Sequence, residues 1–238
     1  MALSSDIMGF LRRPRAARGR PWLSGIAPIL WFSVTLVVAE GIYLGPEVLQ
    51  AVREKYGAPA LERVQEWQRL MRQNQDKSES EKLGLVNDFF NRLRFTSDIK
   101  RWGKADYWAT PIEAMGRGAA DCEDYSIAKY FTLRELGIPD AKMRIMYVKA
   151  LKLNQAHMVL TYYATPGAVP LVLDNLNKRI LPADKRTDLA PVYSFNGDGL
   201  WLAKNRDRGL RVGTSERINL WQDLKARMKQ ELGNDENQ

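Results

Sequence analysis

The strongest constraint on the fold is a change of period at Gly137-Ile138-Pro139. Before it, over residues 46–72 and 78–95, apolar residues recur at spacings of three and four. After it, they gather in short runs rich in β-branched and aromatic residues. Helices followed by strands predict an α+β fold with N-terminal helices packed on an antiparallel sheet, rather than a doubly wound one.

Residues 46–72 carry Val48, Leu49 and Val52, then, past a Gly57-Ala58-Pro59 break, Leu61, Val64, Trp67, Leu70 and Met71 at helical spacing. From Ser78 to Phe95 a second stretch places Leu83, Val86, Phe89, Phe90 and Leu93 on one side, with a loop over 73–77 between. Residues 96–120 show no clear period and read as an ordered approach loop. A third helix starts at Asp121, which can cap it, and closes at Gly137. Strand-like runs follow at Lys142–Lys149, His157–Ala164 and Val169–Asp174, joined by hairpin connections over 152–156 and 165–168. Gly197-Asp198-Gly199 is a turn before Leu200-Trp201-Leu202, and 218–232 reads as a terminal helix.

The net charge of +8 is unevenly placed: residues 1–39 hold Arg12, Arg13, Arg15, Arg18 and Arg20 against Asp6, which is half of it. No basic run with interleaved aromatics follows, so nucleic acid is not an expected partner. The arginines precede an apolar run over 25–39 that ends Val37-Val38-Ala39. This is the pattern of a secretory signal peptide, and it predicts export to the periplasm. The run is shorter than the roughly 20 residues that span a bilayer. An uncleaved anchor extending through Ile42, Tyr43 and Leu44 is the rival reading. Residues 40–238 then form one domain, with a helical part over 40–95.

The chain has one cysteine and one histidine. That excludes an intramolecular disulfide and leaves a Cys/His zinc site short of ligands. A thiol enzyme here has one possible nucleophile, Cys122, and one imidazole base, His157. Cys122 falls in the first turn of the third helix, where free backbone N–H groups favour an anion. His157 and Asp174 are 17 residues apart, compatible with facing ends of a hairpin, so Asp174 can orient the imidazole. The Cys122 amide can also serve an oxyanion. A buried, inert cysteine and a turn aspartate are the plainer alternatives.

The segments Tyr107-Trp108-Ala109-Thr110-Pro111-Ile112-Glu113, Asp121-Cys122-Glu123-Asp124-Tyr125, His157-Met158-Val159-Leu160 and Leu173-Asp174-Asn175-Leu176 resemble, in that order, the bacterial transglutaminase-like cysteine proteinases. The likeness runs from about Trp102 to Trp201, and departs at Ala120, where a glycine is expected. The resemblance implies a papain-like, transglutaminase-type core with Cys122 as nucleophile, His157 as base and Asp174 as orienting carboxylate. It implies a periplasmic endopeptidase that clips a large surface adhesin near its N-terminus and frees biofilm cells. An inner-membrane receptor for cyclic di-GMP would sequester it. An exposed tryptophan upstream of the cysteine is expected to contact that receptor, with Trp102 and Trp108 as candidates. Two other readings of the scaffold are an acyl transferase and a catalytically silent calcium-binding module.

Asp121, Glu123 and Asp124 oppose a thiolate at Cys122, because neighbouring carboxylates raise a thiol's pKa. A bound divalent cation would reverse that sign, and an all-oxygen donor set suits Ca²⁺. Helix capping alone also explains acids at these positions. The resemblance implies Ca²⁺ dependence, with Asp121 and Glu123 as ligands and Asp124 as a third.

Overall fold

Local signals set the helix boundaries. Pro46 opens α1 (Pro46–Tyr56), and Gly57, at φ 85°, separates it from α2 (Ala58–Gln73). Ser78 caps α3 (Glu79–Phe90) through a reciprocal box with Glu81. The computed structural model describes residues 44–203 and 209–233. The leader expected over 1–39 lies outside these residues. Among the described residues no helix is long and apolar enough to cross a membrane.

The stretch expected to be helical to Phe95 ends earlier. After Phe90 the chain turns into β1 (Arg94–Phe95), which pairs in parallel with β2 (Ala119–Ala120). The segment between them, expected as a loop, contains α4 (Asp98–Trp102) and α5 (Pro111–Arg117). α5 is made by a box in which the Glu113 amide donates to Thr110 Oγ1 at 3.0 Å and the Thr110 amide to Glu113 Oε2 at 2.9 Å. Ala120 needs no glycine: Asn154 is the only non-glycine described residue with positive φ.

Next comes α6 (Cys122–Glu135), buried on almost every side. It lies against one face of a sheet built from β3 (Met143–Ala150), β4 (Gln155–Tyr162), β5 (Leu171–Leu173), β6 (Leu181–Pro182), β7 (Leu189–Phe195), β8 (Leu200–Leu202) and β9 (Leu210–Gly213). The seven strands run β6-β5-β4-β3-β7-β8-β9, antiparallel throughout. The expected strands and the Lys152–Ala156 connection hold, except that Gln155 and Ala156 already pair with β3.

The core between helices and sheet is aromatic. Trp67 of α2 donates its indole N–H to Thr132 Oγ1 on α6 at 2.8 Å. Phe195 stacks on Trp108 at 5.5 Å and meets Trp221 edge-on at 5.2 Å. Trp221 belongs to α7 (Asn219–Glu231), whose Arg227 reaches back across the fold. Its guanidinium donates to the Trp108 carbonyl at 2.6 Å, pairs with Glu113, and lies over the Tyr107 ring. α7 thereby fixes the 107–113 segment from the far end of the chain.

Candidate active site

Cys122 begins α6, with Asp121 in extended backbone conformation as the preceding cap. Its thiol donates to Glu123 Oε2 at 2.9 Å, and the Met158 amide donates to its sulfur. Burial, then the charge and hydrogen bond of Glu123, push the thiol well above its ordinary pKa. The carboxylates around Cys122 therefore act on it as their charges predict.

The residue before Met158 is His157, buried on β4. The β4–β5 ladder ends at the pair Leu160–Leu173, and Asp174 follows immediately. Asp174 Oδ1 meets His157 Nε2 at 2.8 Å and accepts the Leu176 amide at 2.9 Å, while Oδ2 accepts Arg186 Nη2 at 2.7 Å. Burial alone would raise this carboxyl, but the imidazole and the guanidinium hold it down at about 2. The structure thus brings Cys122, His157 and Asp174 to one end of α6 and its adjoining strands. Nδ1 is the ring nitrogen left for exchange with a thiol.

Behind Asp174 lies a buried lysine that sequence periodicity does not single out. Lys129 of α6 donates to Asn87 Oδ1 at 2.9 Å and Asn91 Oδ1 at 2.8 Å. Asn91 Nδ2 donates to the Asp174 carbonyl at 3.0 Å, and Asn87 Nδ2 to that of Lys178 at 2.8 Å. The helix carrying Cys122 is thus tied through α3 to the loop carrying Asp174. Burial drives the Lys129 ammonium down to about 7, against the opposing pull of Asp174 and Asp88. An unfolded lysine titrates near ~10.4, so between those values the unfolded chain binds more protons. Folding stability relative to a Lys129→Met variant should therefore rise with pH from about 7 to about 10.4. Urea unfolding of both proteins at several pH values measures this; a flat difference would contradict it.

The expected ligand trio does not gather as one set. Asp121 and Asp124, three positions apart at the helix start, face the same side, whereas Glu123 turns away toward the thiol. The third member of their buried cluster is Asp98, from α4; Glu123 falls instead with Asp98 and the exposed Asp106. In each group the ligand oxygens lie within 4.8 Å of one another. Asp98 Oδ2 accepts the Tyr107 amide at 2.6 Å; Asp124 Oδ1 accepts the Ala109 amide at 2.7 Å and Oδ2 the Arg101 guanidinium at 3.1 Å. Asp98 Oδ1 and Asp121 Oδ1 are buried without a donor. Burial first, then the charges of Asp124, Glu123 and Asp98, push the Asp121 carboxyl up to about 10. Three buried carboxylates with one arginine and two orphaned oxygens fit a hard divalent cation. Nothing in the sequence near Asp98 marks it: its partners in the buried cluster, Asp121 and Asp124, lie more than twenty residues on, across the segment with no period.

The two tryptophans separate clearly. Trp108 is 4% exposed and stacked on Phe195, so it is a core residue rather than a surface anchor. Trp102 is half-buried, against Tyr107 at 4.6 Å and beneath the Arg117 guanidinium.

Residues 61–193 match the family described as bacterial transglutaminase-like cysteine proteinase, BTLCP. No curated protein matches in sequence. Three solved structures of Legionella pneumophila LapG are similar. The EGTA-treated form is 40% identical, over 79% of this chain and 99% of that one, with a TM-score of 0.70. A second is 41% identical over 76% and 94%, at 0.68. The calcium-bound form is 42% identical over 76% and 98%, at 0.67. With its helices and seven-stranded antiparallel sheet of the transglutaminase-like kind, the chain belongs to the bacterial transglutaminase-like cysteine proteinases.

Proposed function

We propose that the protein is a calcium-dependent periplasmic endopeptidase that cuts a large cell-surface adhesin near its N-terminus and so releases cells from a biofilm. The observation that carries this reading is the 2.8 Å contact of His157 with Asp174 beside the start of α6, where Cys122 receives the Met158 amide. Cys122 Sγ attacks the scissile carbonyl carbon as His157 takes the thiol proton. The imidazolium passes that proton to the leaving amine, and water then hydrolyses the thioester. Asp174 keeps the ring oriented, and the Cys122 amide, free of any intrahelical acceptor, faces the developing oxyanion. Ca²⁺ held by Asp98, Asp121 and Asp124 would neutralise the carboxylates that oppose thiolate formation. An inner-membrane cyclic di-GMP receptor would restrain the enzyme by sequestering it, and Trp102, the less buried of the two candidate tryptophans, would be the one to contact it.

The test is incubation with the N-terminal region of a large adhesin encoded in the same genome, with Ca²⁺, reductant and an added primary amine. Two fragments are expected, the N-terminal one ending in a free new carboxyl group and the other beginning with a free new amino group. An adhesin that stays whole would sink the substrate assignment, and amine incorporated at the cut would make the protein a transferase.

A further inference from the structure

Asp174 does not stand alone behind the imidazole. Arg186, 3% exposed, follows the short 3₁₀ turn Ala183–Lys185 and crosses to the triad from the sheet face opposite α6. Its Nη2 donates to Asp174 Oδ2 at 2.7 Å and to Asp188 Oδ2 at 2.9 Å, and its Nε to Asp188 Oδ1 at 3.0 Å. His157, Asp174, Arg186 and Asp188 therefore form a series of alternating charge capacity running from the imidazole to the partly exposed Asp188. Arg186 lines a cavity on this face of the sheet together with Val148, Val159, Val172 and Leu189. Asp174 itself is buried from water.

We propose that Arg186 is a positioning residue for proteolysis: it fixes the rotamer of Asp174 so that His157 is held as its Nε2–H tautomer with Nδ1 turned to the thiol. The inference rests on the triad reading above. A carboxylate held only by an imidazole and one backbone amide can rotate about its Cβ–Cγ bond. With Oδ2 fixed by the guanidinium, Oδ1 stays on Nε2. The guanidinium also shares the carboxylate's charge, so Asp174 orients the ring without capturing its proton. Asp188 restrains the guanidinium in turn, its two oxygens meeting Nε and Nη2 as a fork. Lysine offers the charge but not that fork.

The chain has one histidine, so imidazole ¹⁵N NMR of the untagged full-length protein reads His157 alone. The unaltered protein should show one Nε2–H tautomer. Arg186→Gln should show a mixture of tautomers, and kcat should fall about 10- to 100-fold with KM within about two-fold, the usual cost of losing an orienting partner. Arg186→Lys should lie between the two, and Asp188→Asn should have the smallest effect, because Asp174 keeps its guanidinium. Recording the tautomer also in the Cys122→Ala background separates this inference from the proteolytic one, since that readout needs no turnover. An Arg186→Gln protein that keeps a single Nε2–H tautomer would overturn the proposal. So would an Arg186→Lys protein with the kcat and tautomer of the unaltered one, which is the decisive comparison should Arg186→Gln not fold.

Discussion

Replacing Cys122 with alanine is expected to abolish cleavage, with a loss on the order of 10⁶-fold, as when the nucleophile of a catalytic triad is deleted. No other thiol exists to substitute. His157→Ala should cost about as much, and the double variant no more than either single one, because members of a triad act as one unit. The folded state should survive the alanine change. Cys122 is half-buried at the edge of the core, so alanine removes a single sulfur from that packing together with the hydrogen bond to Glu123. Gel analysis of the adhesin fragment over many hours, beside a melting curve, reads both outcomes. Residual cleavage by well-folded Cys122→Ala protein would remove the mechanism altogether.

The second large effect concerns calcium, and it discriminates between ligand sets. Saturating Ca²⁺ at about a hundred times its dissociation constant should add about 2.7 kcal/mol to stability. For a domain of this size that is a rise of roughly 5–10 °C in melting temperature. Asp98→Ala should lose this response, although Asp98 lies far from the cysteine in sequence. Glu123→Ala should retain it, because Glu123 bonds the thiol and shares only Asp98 with the buried Asp98–Asp121–Asp124 cluster, grouping instead with the exposed Asp106. Asp121→Asn carries the sharpest sign. With chelator present it should melt higher than the unaltered protein, because an amide donor replaces one of two facing carboxylates. With Ca²⁺ it should show no gain. Calorimetric scans of the unaltered protein and the three variants, in chelator and in Ca²⁺, give all four responses. A Glu123→Ala protein that loses the response together with a responsive Asp98→Ala protein would restore the ligand set suggested by adjacency to the cysteine.

The contrast between Asp98 and Glu123 shows where sequence reasoning is strong. Cys122, His157 and Asp174 were legible because a helix start, a strand and a hairpin impose their own geometry. Spacing along the chain then becomes spacing in space. The chain direction of α6 came from its cap and its glycine stop rather than from periodicity, which a helix buried on nearly all sides does not show. The 96–120 segment was not legible for a different reason. α4 has five residues and α5 seven, too few for a hydrophobic period, and both are held by contacts from elsewhere. The Thr110-Pro111-Ile112-Glu113 box is a readable helix start, and it is the one local signal there. Asp98, the burial of Trp108 and the Arg186 clamp depend on tertiary approach, which neither motif nor period encodes.

The reach of Arg227 has a consequence for how the protein is made. The Trp108 carbonyl that it holds is followed by Ala109, whose amide anchors Asp124. A ribosome releases Cys122, His157, Asp174 and the acids beside Cys122 well before α7 emerges. Until α7 docks, Trp221 is missing from the aromatic core and the 107–113 segment lacks its clasp. The clasp on the 107–113 segment, and with it the support of Asp124 at the start of α6, is thus completed by the part of the described chain that is translated last.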